Sequence, residues 1–550
     1  MTTAKKFVFL LIGLFMAVPS LPAVSIDPSS HAWSLARGSG VSGSLLFKGK
    51  AKTLWFVTCP SGLVAGNFIY IAGGSGVSES AAITAVSCPS GNPGSVTIAT
   101  RHAHLGKWSV ATSTAGIQEA IADLGSGGGT VLISAGDFEV HSRITLTSHI
   151  ALQGAGINAT TIRVGRDEFR NSAPWQYGIN PSGTVIFGPP GHSGIAVTDL
   201  SVTFEEQSSP PNGAYGVAFV DVNDSMIDAV AVRDGPILKK GNTFLPIGVL
   251  GLSQNDTVQN SQVYNRPCSI SSEGSGGFIS GGRSNRFLHN YVTNGCNSSY
   301  VTAGTGTLFE GNVFELGRST MVPGAQAFAA DNSSGALFVN NRCIGNGIAP
   351  ACFSAVTDAK TPETSDSTFI GNEARDCGQG FQFQSTVGHS RRIRVEKGLV
   401  SNCAVPLSLM GIVDDVLIQG VSGLRDIHSP RIVAIPVISN FLHDVPTVDG
   451  DLIWMTDAEV DYSVGGFKGG SAQRRVHIIN ASRHAMMLSQ GDLKSVAENR
   501  ICVETGADPV SPSESIAILS YSGEKRCWTI VLSDEVGSIQ TSNGASAPVR

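Results

Sequence analysis

Charge is scarce in this chain: only 15% of its 550 residues are Asp, Glu, Lys or Arg, and 43 acidic side chains face 37 basic ones. A mildly acidic chain lacks the basic stripe that neutralises phosphates, which excludes a general nucleic-acid binder. It also has no overall pull on acidic polymers, so holding one would need a local basic patch. The ten cysteines contain no CxxC spacing, which argues against a zinc ribbon or a thioredoxin-type site. No apolar run reaches the roughly 20 residues that cross a bilayer, so no membrane insertion is expected. The run Phe7 to Val18 follows Lys5 and Lys6 and precedes the small-residue site Ala23-Val24-Ser25. That order is a signal peptide over residues 1–25, and it places the protein in a secreted or cell-surface, disulfide-permitting setting.

The chain does have 65 glycines and 41% hydrophobic residues. That is ample for a core, and with the Asn, Ser, Thr and Val content it favours strands and tight turns. Residues 26–108 read as a small β-domain, with short strands around residues 54–57, 68–71 and 96–98. Its His102 and His104 form an HxH pair with no third ligand nearby, so the pair reads as structural. Residues 442–534 read as a second small β-domain, and 535–550 as a polar disordered tail. Cys59 with Cys88 and Cys502 with Cys527 would staple these flanking regions. Cys268/Cys296 and Cys377/Cys403 are each about one repeat apart, as bridges or as buried thiols.

Between the flanks the sequence repeats. Phe287, Phe309, Phe338 and Phe369 each stand three residues before Asn290, Asn312, Asn341 and Asn372, and the Asn-to-Asn spacings are 22, 29 and 31 residues. A period in the twenties with extensions is the signature of a solenoid. The Phe column fills its interior. The Asn column tolerates a left-handed turn and can bond amide to amide between coils.

Ahead of the repeats, Ile117 to Leu124 has apolar residues at helical spacing and Gly125 stops it. A short helix there would cap the open end of a solenoid. Ile117-Gln118-Glu119-Ala120-Ile121, then Gly127 to Val131, then Leu152-Gln153-Gly154-Ala155-Gly156 resemble the opening of the rhamnogalacturonase/epimerase-like pectate lyase domain of the pectin-lyase-like superfamily. Ser134 stands where that family usually has proline. The resemblance covers roughly residues 109–441. It implies an all-β fold: a right-handed parallel β-helix with small flanking β-domains and one short N-terminal capping helix. The C-terminal module is loosely tailspike-like, which implies a homotrimer.

The resemblance also implies a polysaccharide partner, cleaved by lyase or hydrolase chemistry. The alternative is a rigid carbohydrate-binding rod. A substrate groove would run along the sheet one strand before the Asn turns: residues 216–222, 247–252, 269–271, 300–303, 326–331, 352–356, 381–384 and 407–409. Alternation turns Ser271, Thr302, Gln382 and Gln384 outward, where they could hydrogen-bond sugar hydroxyls. The acidic clusters and Gly-His-Gly motifs of related lyases and hydrolases are missing. Gly388-His389-Ser390 echoes a hydrolase motif but lacks its acidic partners, and Asp414-Asp415 lies before the wrong strand. Charged residues gather instead in loops beside the sheet, and Asp234, Lys239, Arg266, Glu273 and Arg318 combine both signs on neighbouring coils. They are the expected acid–base group. No cofactor is required, although paired carboxylates on adjacent coils could hold calcium.

Overall fold

The structure, a computed structural model, describes residues 25–32, 34–36, 41–42, 51–73, 78–88, 93–104, 106–164, 183–204, 214–233, 244–267, 276–296, 298–317, 325–347, 351–358, 363–424, 426–446, 452–456, 458–472, 474–502, 508, 510–511 and 516–531. The signal peptide up to Val24 and the tail from 535 lie outside these residues, as do Asp234, Lys239, Ser271, Glu273 and Arg318. The chain divides into two compact units.

The first unit opens with a seven-stranded antiparallel sheet, in which Ala51–Phe56, Gly94–Ala99, Glu79–Ser87 and Phe68–Gly73 are successive neighbours. Its core is Leu54, Phe56, Ile69, Ile71, Ile83, Val96, Ile98 and Val110, and Cys59–Cys88 staples its edge. The expected helix spans Ile117–Leu124 and buries Ile117, Ala120 and Ile121. Gln118 shows how it caps: its Nε2 donates to the Thr145 carbonyl at 3.1 Å and its Oε1 accepts from the Thr145 N–H at 2.7 Å. One side chain thus stands in for a missing strand neighbour. The coils begin directly after it, Gly129–Leu132 pairing in parallel with Ile150–Gln153.

In the second unit each coil contributes three strands to three parallel sheets. The first sheet stacks Ile247–Leu250, Phe278–Ser280, Tyr300–Thr302, Gln326–Asp331, Ala351–Thr357 and Gln379–Ser385. The second stacks Thr257–Gln259, Arg286–Leu288, Leu308–Glu310, Leu337–Val339 and Thr368–Ile370. The third stacks Gln262–Tyr264, Tyr291–Thr293, Val313–Glu315, Arg342–Ile344, Glu373–Arg375 and Leu399–Ser401. Most strands of the second and third sheets are three residues long with only the middle side chain buried, so one apolar residue per strand suffices to fill a coil. The fold is the expected parallel β-helix.

Both repeat columns stack in register. Phe287, Phe309, Phe338 and Phe369 lie face to face at 5.0, 5.0 and 4.8 Å. A second stack, Phe278, Tyr300, Phe328, Phe353 and Phe381, runs beneath the first sheet at 4.5–5.3 Å. Asn290, Asn312 and Asn341 each donate Nδ2 to the Oδ1 of the next Asn, at 3.0, 3.0 and 3.1 Å. The same oxygens also accept the preceding Asn backbone N–H at 2.9 Å. One detail differs from expectation: the left-handed residue is not the ladder Asn but the one before it, His289, Gly311, Asn340 and Gly371, with φ between 52° and 65°. The reversal there frees each amide to point along the axis.

The strand Val405–Gln419 closes the last coil, and Ile427–Pro436 returns antiparallel against it. The remaining strands wrap a core of Ile453, Met455, Tyr462, Phe467, Ile478, Leu488 and Trp528. Cys502–Cys527 bridges this region as expected, while Cys377–Cys403 joins successive coils and Cys343–Cys352 joins the third-sheet strand Arg342–Ile344 to the first-sheet strand Ala351–Thr357 that follows it. Cys296 is also disulfide-bonded, and its expected partner, Cys268, lies outside the described residues.

Candidate functional site

The outer face of the first sheet is set by its register. Ile279, Val301, Ala329, Ser354, Gln382 and Ser408 form one outward column, in which Ala329, Ser354 and Gln382 are themselves buried. Asp331, Val356, Gln384 and Met410 form the next, at the strand ends. Gln382 and Gln384 therefore face outward as expected, and Gln382 Nε2 donates to Gln384 Oε1 at 3.1 Å.

Thr302 does not face outward. It is fully buried and its hydroxyl bonds to that of Thr307 at 2.9 Å. Tyr300 must enter the aromatic stack, so the residue two positions on shares its inward face. The strand expected over 269–271 lies outside the described residues, and Phe278–Ser280 pairs between Ile247–Leu250 and Tyr300–Thr302 in the first sheet, where Phe278 stacks on Tyr300. Arg266 follows the third-sheet strand Gln262–Tyr264. It is half-buried, and its Nε has no hydrogen-bond partner among the described residues.

The titratable groups that the fold brings together lie at the other edge, where chains leave the first sheet. Asn332 Nδ2 donates to Asp331 Oδ1 at 2.9 Å and also to Asp358 Oδ1 on the next coil. The Asn332 Oδ1 accepts the Asp358 N–H at 3.2 Å, which fixes the amide orientation. One amide thus spans two carboxylates. Burial, and then the negative charge of Asp358, push the Asp331 carboxyl up to about 6.

One coil further, Glu363 accepts the His389 N–H at 3.2 Å and pairs with Arg391 at 3.1 Å. His389 Nδ1 meets Asp414 Oδ2 at 2.6 Å. In the sequence His389 has no acidic partner and Asp414 lies before the wrong strand; the structure brings Glu363 and Asp414 to His389 across coils. A signal was present: Asn332/Asp358, Glu363/His389 and His389/Asp414 are separated by 26, 26 and 25 residues, one coil each.

This edge can transfer protons and hold hydroxyl groups. It does not suit calcium, which takes 6–8 oxygens, because an N–H group stands between the two carboxylates. Among the described residues no three His, Cys, Asp or Glu side chains gather as a metal site, and no helix there is long and apolar enough to cross a membrane.

No known protein family and no curated protein matches the sequence. Solved structures similar to it include the mannuronan C-5 epimerase AlgE4 A-module of Azotobacter vinelandii, with 14% identity over 64% of this chain and 89% of that one, TM-score 0.33. Another is an alginate lyase from a Paenibacillus species, 15% identical over 56% and 96%, TM-score 0.34. The Streptococcus pneumoniae surface adhesin PfbA is 13% identical over 76% and 94%, TM-score 0.34. Likeness this distant bears on the fold alone. By its own strand pairings the chain folds as a parallel β-helix with smaller flanking sheets.

Proposed function

We propose that this is a secreted or cell-surface carbohydrate-active protein that cleaves a polysaccharide by hydrolysis along its first sheet. The observation that carries the reading is the Asp331–Asp358 pair. A carboxyl raised to about 6 is still partly protonated near neutrality, and it stands beside a second carboxylate. That division suits a general acid and its partner. Asp331 would protonate the glycosidic oxygen as the C1–O bond breaks. Asp358, held close to Asp331 by the shared Asn332 amide, would attack C1 as the leaving oxygen departs, and water would then release the sugar from Asp358 while Asp331 takes the proton of that water. Gln382 and Gln384, two coils on, would hold sugar hydroxyls. Arg266 would border the groove from its other edge, and Asp234, Lys239, Glu273 and Arg318, which lie outside the described residues, are further candidates for its charged groups from the sequence alone. Nine of the cysteines are disulfide-bonded, which suits export.

The test is a panel of polysaccharides scored separately for new reducing ends and for absorbance at 235 nm. Reducing ends without absorbance, lost by roughly a hundredfold or more in Asp331→Asn, are expected. Absorbance at 235 nm would instead mean elimination. A carbohydrate-binding rod is the second reading, favoured by the outward column Ile279, Val301, Ala329, Ser354, Gln382 and Ser408, which has no titratable group. Retained binding with no product from any substrate would establish it.

A further inference from the structure

The third sheet carries an outward pair of aromatic rings that the fold itself does not require. Tyr264 and Tyr291 sit on adjacent coils, half-buried, with ring centres 5.8 Å apart and planes tilted by 54°. The interior rings of this protein fill volume, but these two lie on the outer face. On later coils the two columns that hold them carry Val313, Arg342 and Glu373, or Glu315, Ile344 and Arg375. The aromatic pair is therefore local and is not one more structural ladder.

Its polar rim is partly spent and partly open. Tyr264 Oη donates to Gln262 Oε1 at 2.7 Å, and Tyr291 Oη donates to Glu315 Oε2 at 2.8 Å. Both bonds hold the rings in place. They leave the Gln262 amide nitrogen and the second Glu315 oxygen without a partner among the described residues. The Arg233 guanidinium lies over the Tyr264 ring, 4.9 Å from its centre, and covers one of the two faces of that ring. Burial and the Glu315 bond push the Tyr291 phenol up to about 12, so it stays a neutral donor.

We propose that this face is a second glycan-binding platform, with Tyr264 and Tyr291 stacking on the apolar faces of a neutral pyranose chain. Aromatic rings receive the C–H face of a sugar, and an amide donor beside a carboxylate acceptor matches its paired hydroxyls. One Arg and one Glu leave the patch neutral, which selects against polyanions. The platform lies on a different sheet from the Asp331–Asp358 pair, so it would tether the protein to a polymer while the first sheet stays open. It does not depend on cleavage.

Affinity gel electrophoresis tests it directly. Full-length Asp331→Asn protein, which spares the polymer, is run through gels containing β-glucan, galactomannan, dextran, alginate or polygalacturonate. At least one neutral polymer should retard it. Tyr264→Ala and Tyr291→Ala should each weaken that retardation about tenfold, the scale of one lost ring contact, with melting temperatures unchanged. Glu315→Gln and Gln262→Ala keep both rings and should weaken it several-fold, so the result stands even if an alanine variant folds poorly. Retardation only by the acidic polymers, by none, or equally in the Tyr264→Ala/Tyr291→Ala double variant and its parent would overturn the proposal.

Discussion

Substituting Asn312 with alanine probes the ladder where it is most connected. Asn312 is fully buried. Its Oδ1 accepts the Asn290 backbone N–H and the Asn290 Nδ2 at 2.9 and 3.0 Å. Its Nδ2 donates to the Phe287 carbonyl and to Asn341 Oδ1 at 2.9 and 3.0 Å. Asn341 Oδ1 keeps the Asn312 N–H after truncation, so it is not stranded. Two groups are: the Asn290 N–H and one proton of the Asn290 amide, since the Phe287 carbonyl keeps its place in the parallel strand ladder. At about 1–1.5 kcal/mol for each stranded group, Asn312→Ala should cost about 2–3 kcal/mol. Asn290→Ala strands only one, the Ser261 N–H, because Asn312 Oδ1 retains the Asn290 N–H and the Val258 carbonyl keeps its ladder bond. It should cost about 1–1.5 kcal/mol. Urea unfolding followed by far-ultraviolet circular dichroism reads both numbers from the shift in midpoint at constant slope. An Asn312→Ala protein within about 0.5 kcal/mol of its parent, or a costlier Asn290→Ala, would refute the counting of stranded groups.

Phe338 lies between Phe309 and Phe369 at 5.0 and 4.8 Å, so Phe338→Ala should cost about 3–5 kcal/mol, seen as a lower melting temperature, and Phe338→Leu much less. Opening the Cys377–Cys403 bridge, which closes a 26-residue separation, should cost about 3.5 kcal/mol by chain entropy; non-reducing peptide mapping should recover the pair from secreted protein. In the antiparallel sheet, His104 and Glu79 are fully buried and bonded at 3.0 Å. That bond raises His104. Burial alone would raise Glu79, but the His104 bond and the Arg101 and His102 N–H groups lower it. The His104 share of stability is complete below the ordinary imidazole value and lost as pH rises through the raised one. The Glu79 share is complete above the ordinary carboxylate value and lost as pH falls through the lowered one. Melting temperature should thus peak between these limits, and a profile unchanged by Glu79→Gln would contradict the pairing. For any cleavage activity, an acidic Asp331 requires the rate to fall as pH rises through about 6, and a rate that climbs there would assign the proton to another group.

What the sequence shows plainly is whatever repeats with the coil. Phe287 and its equivalents announce the interior, and Asn290 and its equivalents announce the turn, because each coil must solve the same packing and hydrogen-bonding problem. Gln118 and its neighbours likewise betray the cap, whose side chain has one open edge to satisfy. Thr302 was misplaced because alternation holds within a strand but gives no phase between coils joined by loops of different length. The phase is set by Tyr300 and Phe278 entering a stack that only three dimensions reveal. The Asp331–Asp358 and His389–Asp414 pairs were harder still. Their partners lie a coil apart, so adjacency in the chain, which motif reading relies on, is the wrong coordinate. The spacing of 25–26 residues was the usable clue.

The ladder also has an electrical sense. In Asn290, Asn312 and Asn341 the Nδ2 points toward the later coil, and the ladder oxygens accept from the earlier one. The amide dipoles therefore add head to tail, and each polarises the next. The row is finite at both ends. Ser261, whose backbone N–H donates to Asn290 Oδ1 at 2.9 Å, opens it. Gly398 closes it, with φ 108° and so little room that a Cβ there would meet the Asn372 carbonyl oxygen. A whole coil spliced between Asn312 and Asn341 would lengthen this aligned row and deepen its polarity, whereas no single substitution at position 398 could extend it.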